Sequence, residues 1–321
     1  MKKRNIVVLI LIMTMSLGTV FLIDFNNKEK KIVNDETKLS KIELNHIAVS
    51  ADEYDIKKVH FSNNIKKELI DSVKLYKVKA KKYSNKDIKE IVKNGINCKI
   101  RSSSEEGDTK LFELSNGGDL TYYKNSGAIS YHFYEETNEK TSKRTISDGK
   151  LKEKAKKFIK KIKICDIDEL SLYKVGPSVT VKTQKGEEIE QYEVMYTKTP
   201  PQEIDGYEGT GPGIVVEFDC NGEIVGFVAI DKEIEAVEKK YPTKDIKEME
   251  KDIVDGDNVM IYSNKEVENK VNLDNLECVL YSDSVEEKQE YMVPHYRFKD
   301  KNQDGIDIVL PAIKNSYLSI K

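Results

Sequence analysis

A chain of 321 residues, 38% hydrophobic and 34% charged, is long enough for about two domains and too apolar to be wholly disordered. Its formal net charge of −3, from 53 basic and 56 acidic residues, argues against a general nucleic-acid binder, which needs a clustered positive excess. Only Arg4, Arg101, Arg144 and Arg297 are arginines, so bidentate clamps for phosphate or carboxylate are scarce.

The N-terminus sets an expected compartment. Lys2, Lys3 and Arg4 precede an uncharged, mostly apolar run from Asn5 to Ile23, which Asp24 ends. As a helix this run spans about 28 Å, close to the hydrocarbon thickness of a bilayer. Basic residues ahead of it predict an N-terminus inside and everything after Asp24 extracytoplasmic. Residues 1–23 are therefore read as a single-pass transmembrane helix, a membrane anchor at the cell membrane. The alternative is a signal peptide cleaved near Ser16-Leu17-Gly18, which would make the protein secreted. Residues 24–60, which mix Lys, Glu, Asp and Asn with isolated apolar residues, read as a stalk with one short strand near Ile47–Val49.

A first α+β unit is expected over 61–146. Ile65, Leu69, Val73 and Tyr76 predict a helix from Asn64 to Lys82, and Ser84 can cap a second helix carrying Ile88, Ile91 and Val92 to Gly95. Strands follow at Cys98–Ser102, Lys110–Leu114, Leu120–Lys124 and Ala128–Tyr134. The turn formers Asn116-Gly117-Gly118 and Asn125-Ser126-Gly127 separate the last three.

The pattern restarts in a second unit over 147–242. Ser147 or Asp148 can cap a helix through Ile164, with Leu151, Ala155, Phe158, Ile159 and Ile162 on one face. Strands are expected at Val179–Thr183 and Glu190–Lys198, then a glycine- and proline-rich loop from Thr199 to Pro212. Ile214–Cys220, the turn Asn221-Gly222 and Glu223–Ile230 form the clearest hairpin, because Asn-Gly suits a type I′ turn. A third unit over 243–321 begins at Thr243, which can cap a helix with Ile246, Met249 and Ile253 facing inward. Strands follow at Leu276–Tyr281, Tyr291–Phe298 and Ile306–Ile313. Lys86-Asp87-Ile88-Lys89-Glu90 recurs as Lys244-Asp245-Ile246-Lys247-Glu248. The expected fold class is α+β, with repeated units of a helix packed on an antiparallel sheet after an N-terminal transmembrane helix.

Few residues suggest chemistry. His46, His60, His132 and His295 are far apart without a metal-binding spacing, and no nucleophile elbow is present. Cys98, Cys165, Cys220 and Cys278 lack any C-x-x-C pair and read as lone buried thiols, with disulfides as the alternative in an exported chain. The segment Gly206–Gly213 lacks the Lys-Ser/Thr of a phosphate loop and opens a strand, so it reads as a connection. Asp300, Asn302, Asp304 and Gly305 repeat the first half of a calcium loop, but Pro311 stands where the closing Glu belongs. A hairpin turn is the preferred reading. No catalytic, cofactor-binding or metal residue is assigned, and no cofactor or nucleic-acid partner is expected.

Two stretches carry a resemblance: Gly213-Ile214-Val215-Val216-Glu217-Phe218-Asp219-Cys220-Asn221-Gly222-Glu223-Ile224-Val225-Gly226-Phe227 and Tyr291-Met292-Val293-Pro294-His295-Tyr296-Arg297-Phe298. From Lys150 onward the chain resembles the membrane-anchored YycI/YycH-type accessory proteins of Gram-positive two-component regulation and, more broadly, PepSY-like and cystatin-like domains. The resemblance implies PepSY-like second and third units. It also implies a non-enzymatic protein of the cell envelope that modulates a membrane partner, such as a sensor kinase or a protease, by protein–protein contact. The alternative function is an extracytoplasmic ligand-binding module for a cell-wall fragment or small molecule.

Overall fold

The computed structural model describes residues 39–44, 55–133, 146–183, 186–209, 211–263, 267–301 and 306–320. In chain order the elements are β1 (Ile42–Leu44), β2 (Lys58–Phe61), α1 (Asn63–Glu68), β3 (Ser72–Ala80), α2 (Asn85–Ile91), β4 (Ile100–Glu106), β5 (Thr109–Leu114), β6 (Asp119–Tyr123) and β7 (Ala128–His132). Then come α3 (Asp148–Ile162), β8 (Leu170–Thr183), β9 (Gly186–Lys198), β10 (Gly206–Gly209), β11 (Gly213–Asp219), β12 (Ile224–Ile230) and β13 (Lys232–Pro242). The last are α4 (Ile246–Asp255), β14 (Met260–Ser263), β15 (Lys270–Ser282), β16 (Tyr291–Asp300), β17 (Ile306–Pro311) and β18 (Leu318–Ile320). The chain divides into two compact units. In the smaller, β1 and β18 pair in parallel, with Ile42 opposite Leu318. The larger, Asn45–Lys314, holds the rest.

The expected fold of repeated helix-on-sheet units is corrected. The described chain is mostly strand, gathered into two large sheets. The first sheet runs β4-β5-β6-β7-β12-β11-β9-β8, and every neighbour is antiparallel. Its two halves, β4–β7 and the set β8, β9, β11 and β12, join because β7 pairs with β12, setting Ala128 opposite Ile230 and Tyr131 opposite Phe227. Each half would otherwise leave an open, apolar edge, and sheet edges are costly to expose. One core therefore serves both. Ile88 and Ile91 of α2 and Leu151, Ala155, Phe158, Ile159 and Ile162 of α3 pack with Leu120, Tyr131, Val194, Val216 and Phe227 of the sheet.

Helix α2 keeps the cap that its sequence suggests, whereas Ser147, at the start of α3, makes no side-chain cap bond. Ser84 caps α2 in a reciprocal box: the Ser84 amide donates to Asp87 Oδ2 (2.7 Å) and the Asp87 amide donates to Ser84 Oγ (3.3 Å). The stripe of α3 is buried as the 3.6-residue period requires, and its lysines face outward.

The second sheet is not local in sequence. Its path is β10-β15-β16-β17-β14, with β2 parallel to β15, and β3 bridging β16 and β13. Its core lies between the strands and helices α1 and α4, with Phe61, Ile65, Met249, Ile253, Val271, Tyr296, Phe298 and Ile308 buried together. The helix expected over 64–82 is only α1, capped by Ser62, and then the chain becomes β3. Val73, Leu75 and Val78 are buried in β3, and β-branched residues favour the pleated conformation there. The loop expected over 199–212 contains β10, which adds to β15 in parallel with Gly206 opposite Val279. Gly209 adopts φ +76°, and a Cβ there would lie 2.3 Å from the Ser282 carbonyl oxygen, so glycine is required. Thr243, expected to cap the helix after it, instead bridges Ile313, and Asp245 caps α4.

The expected transmembrane anchor is corrected as well, and with it single-pass attachment and localisation at the cell membrane. Among the described residues no helix is long and apolar enough to cross a membrane. The longest described helix, α3, has 15 residues and a lysine-rich outer face. The run 5–23, its signal-peptide alternative and the strand expected at Ile47–Val49 lie outside the described residues.

Among the described residues of the larger unit, two lysines are buried. Lys244 pairs with Asp252 of α4 at 2.6 Å. Lys232, 2% exposed, donates only to neutral acceptors, Ser282 Oγ (3.3 Å) and Gln289 Oε1 (3.5 Å). Burial pushes its pKa down to about 8, and Asp283 opposes this only in part. The unfolded lysine titrates near 10.4. Between these values the unfolded chain holds a proton that the folded chain has released, so stability rises with pH across that window. The penalty is fully present below pH 8. Lys232→Met is expected to stabilise the protein by about 1–3 kcal/mol at pH 7, with the gain vanishing near pH 10. Denaturant unfolding at the two pH values measures this, and an equal or negative shift at pH 7 contradicts it.

Candidate functional site

The first sheet has one face covered by helices and one, the bare face, left open in part, with Ala128, Ser130 and Ile230 buried on that second side. In β6, β9 and β11 buried and half-exposed residues alternate, the mark of a sheet packed on one side only. The helices cover the side of Leu120, Val194, Ile214 and Val216, and the sheet's hydrophobic cluster is built from that side.

Two rows cross the bare face. The strand registers align Leu111, Thr121, Ser130, Val228, Val215 and Met195 in a mostly apolar row over six strands. Leu111 is 36% exposed, Thr121, Val228, Val215 and Met195 are half-buried, and Ser130 at the centre of the row is buried. Two residues along each strand, the second row reads Glu113, Asp119, His132, Gly226, Glu217 and Glu193. Gly226 leaves a gap into which Glu217 reaches. A Cβ at Gly226 would lie 2.2 Å from Glu217 Oε2, and that oxygen sits 3.9 Å from His132 Nδ1. Burial raises the Glu217 pKa above the usual carboxylate range, Glu193 adds to this, and His132 opposes it. Lys174 of β8 pairs with Glu193 at 2.8 Å, and Ser102 donates to Glu113 at 2.6 Å.

The other residues singled out by sequence are not drawn into this row. His60 is exposed on β2, and His46 lies outside the described residues. His295 is fully buried, with Nδ1 2.9 Å from the Val293 carbonyl oxygen and its ring 4.9 Å from that of Tyr281. Burial pushes its pKa down to about 3, so it stays neutral near pH 7. No disulfide joins the four cysteines. Burial raises the thiols of Cys165 and Cys278 to about 12, which leaves little nucleophilic thiolate at neutral pH. Asp300 accepts from the Asn272 amide at 2.7 Å, within the β15–β16 ladder, while Asn302, Asp304 and Gly305 lie outside the described residues. Among the described residues no group of three His, Cys, Asp or Glu side chains is placed to hold a metal ion.

A cleft of about 590 Å³ lies where β3, α3, β9 and β13 meet. Asp231 accepts from Lys81 at 2.9 Å and from Lys198 at 2.7 Å. Burial works against its charge, yet bonds from Lys198 and Lys81 hold the Asp231 pKa below its usual value. Asp231 together with Glu169, 3.6 Å from Lys198, balances these two cations, and the cleft is walled mainly by charged side chains, unlike the apolar pocket of a typical small-molecule site.

No protein-family model matches the chain, and no curated protein matches it. Nothing in these comparisons places it with PepSY-like or YycI-like proteins. It is similar to the solved structure of an uncharacterized protein from Eubacterium rectale ATCC 33656, at 13% identity over 76% of this chain and 84% of that one. The TM-score is 0.37, too low to carry an argument.

The raised pKa of Glu217 makes a prediction about pH. A folded carboxylate above its unfolded value contributes stability that is fully present in acid and is lost as pH rises through the folded value. Glu217→Gln, which cannot ionise, is therefore expected to raise the thermal midpoint at pH 7 and to leave it unchanged near pH 3. Calorimetry of both proteins reads this directly, and equal shifts at the two pH values contradict it.

Proposed function

We propose that this protein works by contact, presenting the bare face of the eight-stranded sheet to a partner protein and modulating it without making or breaking bonds. The observation that carries this reading is the row Leu111, Val228, Val215 and Met195, left half-exposed beside a row of carboxylates. An apolar row with a polar border is the usual anatomy of a protein interface.

The sheet edges favour the face over strand addition. At one end β4 presents Ser102, Ser103, Ser104, Glu105 and Glu106, all exposed. At the other, β8 carries Pro177, Lys174 and register shifts after Leu172 and Pro177. β13, paired only with β3, is lined by Glu233, Glu235, Glu238, Lys239 and Lys240. Charges, proline and bulges are the devices by which edges resist pairing.

The test is cross-linking in living cells followed by mass spectrometry, comparing the native chain with Val215→Lys/Val228→Lys. Both positions are half-exposed, so the variant is expected to keep its fold, with a thermal midpoint within a few degrees, and to lose its specific cross-linked neighbour. Retention of the same neighbour contradicts the reading.

A further inference from the structure

Resting on that contact reading, we infer that the bare face takes a cationic amphipathic segment of a partner protein, about as long as a sixteen-residue helix. The dimensions come first. The apolar row crosses six strands, and five strand spacings of about 4.8 Å span about 24 Å, the length of about sixteen helical residues. The acidic row lies two residues away along each strand, about 6.6 Å, so one segment can touch both rows.

Charge decides what the segment carries. Across the two rows Glu113, Asp119, Glu217 and Glu193 stand against Lys174, the one lysine on the adjoining strand β8 that pairs into them. Apolar side chains of the occupant would rest on Leu111, Val228, Val215 and Met195, while its Lys or Arg side chains reach the carboxylates. Opposite potentials across an interface give both register and a faster encounter.

A second copy of this chain fits less well in either arrangement. Face against face, the two acidic rows would meet like charge. The outer side of α3 supplies lysines, but Leu151, Ala155, Phe158, Ile159 and Ile162 are all turned into its own core, so it has no apolar side chains to lay on the row.

The probes are two labelled helical peptides of about sixteen residues, one built from Leu and Lys and the other from Leu and Glu, titrated against the full chain by fluorescence anisotropy. The Leu/Lys peptide is expected to bind, to protect Met195, Val215 and Val228 in footprinting, and to weaken as salt rises. Glu193→Gln/Glu217→Gln is expected to weaken it about threefold to tenfold, and Glu235→Gln/Glu238→Gln on the exposed edge of β13 is expected to leave it unchanged. Equal binding of the two peptides, a footprint elsewhere, or equal loss in both double variants overturns the inference. If the Leu/Lys peptide fails while Val215→Lys/Val228→Lys still abolishes the cellular cross-link, the contact reading stands and the cationic occupant falls. Concentration-dependent self-association through Val215 and Val228 also overturns it, replacing the cationic segment with a second copy.

Discussion

The pairing of β7 with β12 is the interaction on which the rest of the larger unit depends. Five residue pairs, from Gly226–His132 to Ile230–Ala128, turn two meanders into one eight-stranded sheet. Because β7 and β12 are central strands, Ile129, Tyr131, Phe227 and Ala229 are buried beneath both helices. Without that ladder, α2 and α3 would each need a separate core, and a small core buries a smaller share of its surface. The same ladder makes the bare face continuous. Leu111 and Thr121 come from one half of the chain segment, Val228, Val215 and Met195 from the other, and only the β7–β12 register aligns them.

The second sheet is tied to the first by chain crossings. β3 leads into α2, β12 leads into β13, and the excursion carrying β10 leaves β9 and returns to β11. Asp231 sits at one crossing and is held by Lys81 from another and Lys198 from the end of β9. Ser126, in the turn between β6 and β7, also donates to the Val285 carbonyl oxygen in the loop before β16. Such pairings join residues far apart in sequence, so loop-closure entropy must be met before they stabilise anything, and slow, cooperative folding follows.

Local signals in the sequence were sound, and long-range ones were not. Ser84, the buried stripe of α3 and the alternation of β11 follow from capping and period, which act over a few residues. The Asn221-Gly222 turn is not the expected type I′, because only Gly222 of the pair, at φ +79°, is left-handed, and the Gly222 amide donates to the Asp219 carbonyl oxygen. β3 was misread because Ile65, Leu69, Val73 and Tyr76 fit a helical period, although the residues after Leu69 alternate as a strand does. β8 begins nine residues before the expected Val179 because bulges around Tyr173 and Ser178 break its period of two. The third unit failed as an independent repeat because β2, β3, β10 and β13 come from distant sequence, and no local pattern announces a partner strand. The candidate face was half legible: Glu217 and Val215 already stood opposite Val216 and Phe218 in the alternation of β11. Their alignment with His132 and Leu111 depended on registers that only the fold supplies.

His295 is neutral and sealed from solvent, and burial holds the thiols of Cys165 and Cys278 protonated. The proposed contact with a partner instead uses the open side of the first sheet. Hydroxyl-radical footprinting of the isolated chain tests this most directly. Met195 and Leu111 should label readily while Phe158, Phe227 and Tyr196 remain silent. Met195 and Leu111 as protected as Phe227 would mean that the face is already covered, and the account would fail.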